Sequence, residues 1–142
     1  MGVQTDKMIL KLMEVFKNAL AADDPIPFLM LFQNDISITT STVYTDLVQA
    51  SFGGYSDQEL LGGEWSGPTL AAHVATLLYN NYVEFTQSSG SDQVIYGWAV
   101  YEAATEELWG GDRFATPITS TTGATIKVKP SITQRNYVPP GP

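Results

Sequence analysis

Val94-Ile95-Tyr96-Gly97-Trp98-Ala99-Val100-Tyr101 is apolar or aromatic at every position except Gly97. β-Branched and aromatic side chains suit the pleated backbone of a strand, so this run predicts one. A loop at residues 103–106 and a return strand at 107–109, Glu107-Leu108-Trp109, complete a hairpin. Upstream, residues 26–32 are nearly all apolar with Pro27 near the start, and read as a buried strand entered from a Pro-containing loop and ended by Asn34 and Asp35. Downstream, residues 124–133 alternate. Ile126, Val128 and Ile132 fall on one face, and Thr125, Lys127, Lys129, Ser131 and Thr133 on the other, the period of a half-buried strand.

Between these runs, residues 70–86 are β-prone and fit two strands, or one strand bent at Asn80 and Asn81. Residues 88–92 form a polar loop. Residues 60–65 read as a short strand interrupted at Gly62 and Gly63, where a bulge or a close backbone approach is expected, and Pro68 marks another loop. Residues 42–51 fit either a short helix or an irregular loop before the turn at Gly53, Gly54 and Tyr55.

The one clear helical period lies at the start. Met8, Ile9, Leu12, Val15, Phe16, Ala19 and Leu20 recur at spacings of three and four, with Thr5 as N-cap and Pro25 closing the segment. The whole predicts a mainly β fold: a β-sandwich or jelly-roll-like domain with one N-terminal amphipathic helix at about 6–20. A single domain spans 1–133. Residues 134–142, with Tyr137 and three prolines, form an extended polyproline-like tail.

Composition narrows the partners. Charged residues make up 15% of the chain, below the roughly 25% of ordinary soluble proteins. A surface with few charges has little to repel neighbouring proteins, which points toward assembly. The net charge of −8 excludes a basic phosphate-binding face, so no direct nucleic-acid contact is expected. Lys7, Lys11 and Lys17 lie near the start, and Arg113, Lys127, Lys129 and Arg135 near the end, with no basic residue between. Such segregation fits a solvated acidic surface, and it would also let a basic terminus meet an acidic neighbour. The charged positions inside residues 1–20 fit neither a secretory core nor a spanning helix, so no membrane is expected. There is no cysteine, which excludes disulfides and thiolate metal sites.

Residues that could carry chemistry are sparse. His73 is the only histidine, and no G-x-S-x-G elbow accompanies it, so it reads as an ordinary strand or loop residue. Asp23 with Asp24, Asp57 with Glu59, and Glu102 with Glu106 and Glu107 sit at predicted turns, where solvated charge explains them. The pairs Gly53-Gly54, Gly62-Gly63 and Gly110-Gly111 have no phosphate-loop context, and no calcium-loop pattern occurs. Tyr79, Tyr82, Phe85, Tyr96, Trp98, Tyr101 and Trp109 read as core or interface residues. Two or more of them exposed in a row would make a carbohydrate platform. The reading expects no enzyme, no cofactor and no metal.

A series of segments then matches a known pattern: Ala19-Leu20 in the helix, Phe28-Leu29-Met30-Leu31-Phe32-Gln33-Asn34-Asp35, the Gly54-Tyr55 turn, and Trp65. It continues with Tyr96-Gly97-Trp98-Ala99-Val100, Leu108-Trp109, Arg113-Phe114, Pro117 and Ile126-Lys127-Val128-Lys129-Pro130. Over nearly its whole length the chain resembles a family of small proteins encoded among the virion structural genes of tailed phages. The resemblance implies a virion structural protein assembled in the host cytoplasm, with a capsid decoration or cement protein as the leading reading. A neck, tail or fibre-attachment protein and a carbohydrate-binding surface module are its alternatives. The implied partners are the major capsid protein or another virion protein, with self-association, for example as a trimer. Helix 6–20 and tail 134–142 are the expected arms, and Met8, Leu12, Phe16, Lys127, Lys129, Arg135 and Tyr137 the expected interface residues.

Overall fold

The computed structural model describes residues 5–135. Helix α1, Asp6–Ala21, is followed by nine strands: β1 Pro27–Phe32, β2 Gln58–Glu59, β3 Trp65–Ala71, β4 Val74–Tyr79, β5 Val83–Thr86, β6 Gln93–Glu102, β7 Glu107–Ser120, β8 Thr125–Val128 and β9 Ser131–Arg135. The architecture is the expected mainly β, sandwich-like domain with one N-terminal helix. One sheet has the order β2-β1-β6-β7, a second β3-β4-β9, and a third β5-β8, all antiparallel where they pair.

Strand β1 is apolar throughout, and both of its faces are used. Leu29 and Leu31 point into the main core, opposite Val100 and Trp98 of β6. Met30 and Phe32 point the other way, opposite Ala99 and Gly97, into a second core with Leu47 and Tyr101. An antiparallel sheet usually wets one face; here the residues between β1 and β2 cover it instead. Gly97 is required at its place because a side chain there would collide with the Phe32 ring and the Asp112 carbonyl. Segment 33–57, with β2 and Leu60 after it, also closes the free edge of β1: Ala50 N–H donates to Leu31 O at 2.9 Å, Gln33 N–H to Val48 O at 2.8 Å, and Leu60 N–H to Pro27 O at 2.9 Å. An edge paired in this way offers no template to another strand.

Helix α1 starts where expected, with the Thr5 side chain accepting from Met8 N. It lies along β3 and β4 and reaches across to the first sheet through Phe16, whose ring meets Trp109 of β7 edge-on at 5.1 Å. It is therefore part of the core and not a detached arm. Its inward face is Ile9, Met13 and Leu20, with Phe16 partly buried beside them.

The stretch 70–86 is broken not only at residues 80–82 but also at the Ala72-His73 turn, which leaves Leu70 and Ala71 in β3, and the stretch 124–133 is broken at Lys129 and Pro130, so β4 with β9 and β5 with β8 form one long ribbon bent in the middle. Ile126, Val128 and Ile132 are buried, as the alternation requires. Gln134 and Arg135, expected to open the extended tail, instead continue β9, Arg135 lying opposite Val74. Residues 136–142, with Tyr137, lie outside the described residues.

Three local readings are corrected. The return strand after the hairpin does not stop at Trp109 but runs through Gly110, Gly111 and Pro117 to Ser120, with bulges that absorb the mismatch with β6. Pro68 lies within β3, at an irregularity between Ser66 and Thr69, a place where a strand tolerates proline. Residues 60–64 are not a strand: Gly62–Glu64 is a single 3-10 turn, and Trp65 opens β3. The close approach expected there does occur, since a Cβ at Gly62 would collide with the carbonyl oxygen of Leu20. Residues 42–51, left open between helix and loop, hold a 3-10 turn at Tyr44–Asp46 and otherwise irregular backbone.

Gln87 is fully buried and fully engaged. Its Nε2 donates to the carbonyls of Ser89, Gly90 and Ser91 at 3.0–3.2 Å, and its Oε1 accepts from Ser120 Oγ at 2.7 Å. One amide thus organises the polar loop that follows it.

Gly62 supplies a direct check. Gly62→Ala should lower unfolding free energy by about 1–3 kcal/mol through overpacking against the end of α1. Gly63→Ala, where a Cβ meets nothing within 4 Å, should leave it nearly unchanged. Urea midpoints of the two variants would separate them.

Candidate functional site

Two surfaces and one partly buried network collect the polar and aromatic residues singled out in the sequence. The network centres on Asp57. Its Oδ1 accepts from the Tyr55 hydroxyl at 2.5 Å, and its Oδ2 from the Tyr101 hydroxyl and the Gln49 side-chain amide. The Tyr55 oxygen in turn accepts from Leu31 N at 2.9 Å, and the Tyr44 ring packs on Tyr101 at 4.9 Å. Asp57 is therefore not a solvated turn acid paired with Glu59. It is a half-buried acceptor that ties segment 33–57 to β1 and β6.

The phenols answer to this placement. Burial, then the hydrogen bond to Asp57 and its negative charge, push the Tyr55 and Tyr101 hydroxyls far above the ordinary tyrosine range. Tyr44 and Tyr79 are raised chiefly by burial. A carboxylate held by neutral phenols is a structural clamp: the phenols are too weakly acidic to exchange protons with it near neutral pH.

The first surface is a cleft of about 520 Å³ at the seam where β7, the edge of the first sheet, meets β9, the edge of the second. Trp98 and Trp109 line it, both half-buried, with Gly110, Asp112, Thr40, Ser131 and Thr133. A neighbouring hollow of about 380 Å³ shares Trp109 and Thr133 and reaches Met13 and Phe16 of α1. Of the seven aromatics considered, Tyr79, Phe85 and Tyr101 are buried, Tyr82 is exposed, and only Trp98 and Trp109 share this cleft.

The second surface is the outward face of α1. Met8, Leu12 and Val15 are exposed by 55%, 46% and 66%. At about 100° per residue they lie roughly a quarter turn from the row Ile9, Met13, Phe16 and Leu20. The apolar arc of the helix is wider than the core uses, and the surplus faces solvent, bordered by exposed Lys7 and Lys11.

The expected interface residues are not brought together. Met8 and Leu12 are on the outer helix face, whereas Phe16 packs against Trp109 within the same chain. Lys127 and Lys129 are on the far part of the bent ribbon, beyond the stretch that α1 covers. Lys127 lies 3.4 Å from Glu84, and Lys129 sits over the Tyr82 ring at 5.7 Å. Arg113 pairs with Asp35. Several basic residues thus meet partners of their own chain. Val15 was missed as an exposed position because it shares the helical period of the core residues.

His73 occupies the two-residue turn between β3 and β4, and its Nδ1 lies 3.0 Å from Asp6 Oδ1 at the start of α1. Asp23, Asp24, Glu59 and Glu102 border one hollow of about 310 Å³. Among the described residues no group of three or more His, Asp or Glu is placed to hold a metal ion, and no helix is long and apolar enough to cross a membrane. Comparison with protein-family models finds no match, and comparison with curated proteins finds none either.

The clamp has a pH signature. The raised phenols keep their protons in the folded chain at pH values where the unfolded chain, titrating near 10, releases them. Their contribution is fully present below about pH 10 and is lost above it, at about 1.4 kcal/mol per pH unit for each phenol. Unfolding free energies measured from pH 8 to 11.5 should fall steeply above 10, and Tyr101→Phe should make that fall shallower.

Proposed function

We propose that this chain is a non-catalytic structural protein of a tailed-phage virion, and that it decorates the capsid by seating the outer face of α1 on a neighbouring capsid subunit. The observation that carries the reading is the exposed row Met8, Leu12 and Val15 on a helix whose inner face is already satisfied. The resemblance of the strand cores and turns to virion proteins supplies the particle.

The energetics suit a repeated contact. Covering the exposed parts of three such side chains is worth about 3 kcal/mol in all. That is less than the roughly 4 kcal/mol of a millimolar complex, so one such row alone would not hold a monomer. Symmetric repetition multiplies a weak contact into a stable layer. Both ends of the described chain leave from the same pole, since Asp6 meets His73 at the β3–β4 turn and Arg135 lies opposite Val74. Lys7 and Lys11 favour a partner whose apolar patch has an acidic rim.

Met8→Glu combined with Leu12→Glu should leave the melting temperature within about 2–4 °C of the parent, because both positions are exposed, and should abolish binding to purified heads. Retention of binding would refute the helix as the docking face. Cryo-electron microscopy of the particle then decides its place: density on the outer lattice in hundreds of copies fits decoration, a few dozen copies at the neck or tail would move the role there, and absence from the particle overturns the proposal.

A further inference from the structure

The cleft between β7 and β9 takes no part in that docking, yet it has the features of a binding site. We propose that it binds a neutral saccharide, with Trp98 and Trp109 as the stacking surfaces and Asp112 as the acceptor for sugar hydroxyls.

The two indoles are half-buried, fixed by packing against the main core, and open on the cleft side. A sugar ring presents a face of C–H groups, whose slight positive charge suits the electron-rich face of an indole. Around the indoles sit polar groups that the fold leaves uncommitted. Among the described residues no hydrogen bond engages Trp98 Nε1, Trp109 Nε1 or the hydroxyls of Thr40, Ser131 and Thr133. Among the described residues the Asp112 carboxylate is used only through Oδ1, which accepts from Arg113 N at 2.8 Å. Donors, acceptors and two aromatic faces therefore converge on one space of about 520 Å³, within the range of small-molecule sites.

Charge selects among sugars. Among the described residues the lining holds one acid and no lysine or arginine, in a chain of net charge −8, so a uronate, sialylated or phosphorylated glycan would be repelled. An extended peptide would gain from a long bare strand edge, but it would leave the stacked C–H contacts and the hydroxyl-bonding groups largely unused.

Gly110 gives the cleft its room. It lies opposite Val100, so a side chain there would project from the core-facing side of the sheet, and a Cβ would meet nothing within 4 Å. A larger residue at this position fills the cleft without disturbing its neighbours.

The test is titration of the full chain, followed by tryptophan fluorescence and calorimetry, with a panel of neutral hexasaccharides: cello-, malto-, xylo- and chitohexaose. At least one should bind saturably and shift the emission, and Gly110→Leu and Asp112→Asn should each weaken it about tenfold or more. Lys127→Ala, remote from the cleft, should bind as the parent does. Should Gly110→Leu fail to fold, the exposed Asp112→Asn, joined by Thr40→Ala, still decides. No response to any member of the panel, binding unchanged in the cleft variants, or tighter binding of oligogalacturonate than of the neutral sugars would each overturn the proposal.

Discussion

Strand β1 is buried on both faces, and most of the fold follows from meeting that demand. Leu29 and Leu31 require one cover, which α1 and the bent ribbon provide; Met30 and Phe32 require another, which segment 33–57 provides. A strand of six residues cannot hold a sheet alone, and its neighbour β6 carries the same two-sided pattern through Val100 and Ala99. The domain is thus a central sheet enclosed by unlike layers, one regular and one almost without secondary structure.

The irregular layer is held by polar contacts in addition to the packing of Leu47 and its neighbours, where the regular one is held by packing. Asp57 gathers Tyr55, Tyr101 and Gln49, and Tyr55 passes the link to the backbone of β1. A half-buried carboxylate without such donors would be costly; with them it fixes the path of a segment that neither helix nor ladder could fix. The long connection between β1 and β2 is therefore ordered by a few named side chains.

How much of this could be read in advance depended on whether local pattern and tertiary role agreed. They agree in α1, β1, β6 and the alternating faces of β8 and β9, where hydrophobic spacing alone marks the element. They disagree in β7, because Gly110, Gly111 and Pro117 look like breakers while bulges and an edge position accommodate them. Asp57 read as a solvated turn acid, since nothing local announces partners at positions 49 and 101. The outer helix face was half legible: Met8 and Leu12 were singled out, but periodicity could not say that the core would take only the row through Ile9 and Met13. The cleft was the least legible, because Trp98, Trp109 and Thr133 come from three strands of two sheets.

Gln87 adds a different consequence. Its amide grips the loop at 88–91 only through main-chain carbonyls, so the shape of that loop is indifferent to most of the side chains it carries. Gly90, with φ of 93°, is the exception. A surface loop whose contour is dictated from below while its exposed chemistry is left unconstrained can diversify between lineages without refolding the domain, and it offers a natural place to graft a foreign epitope.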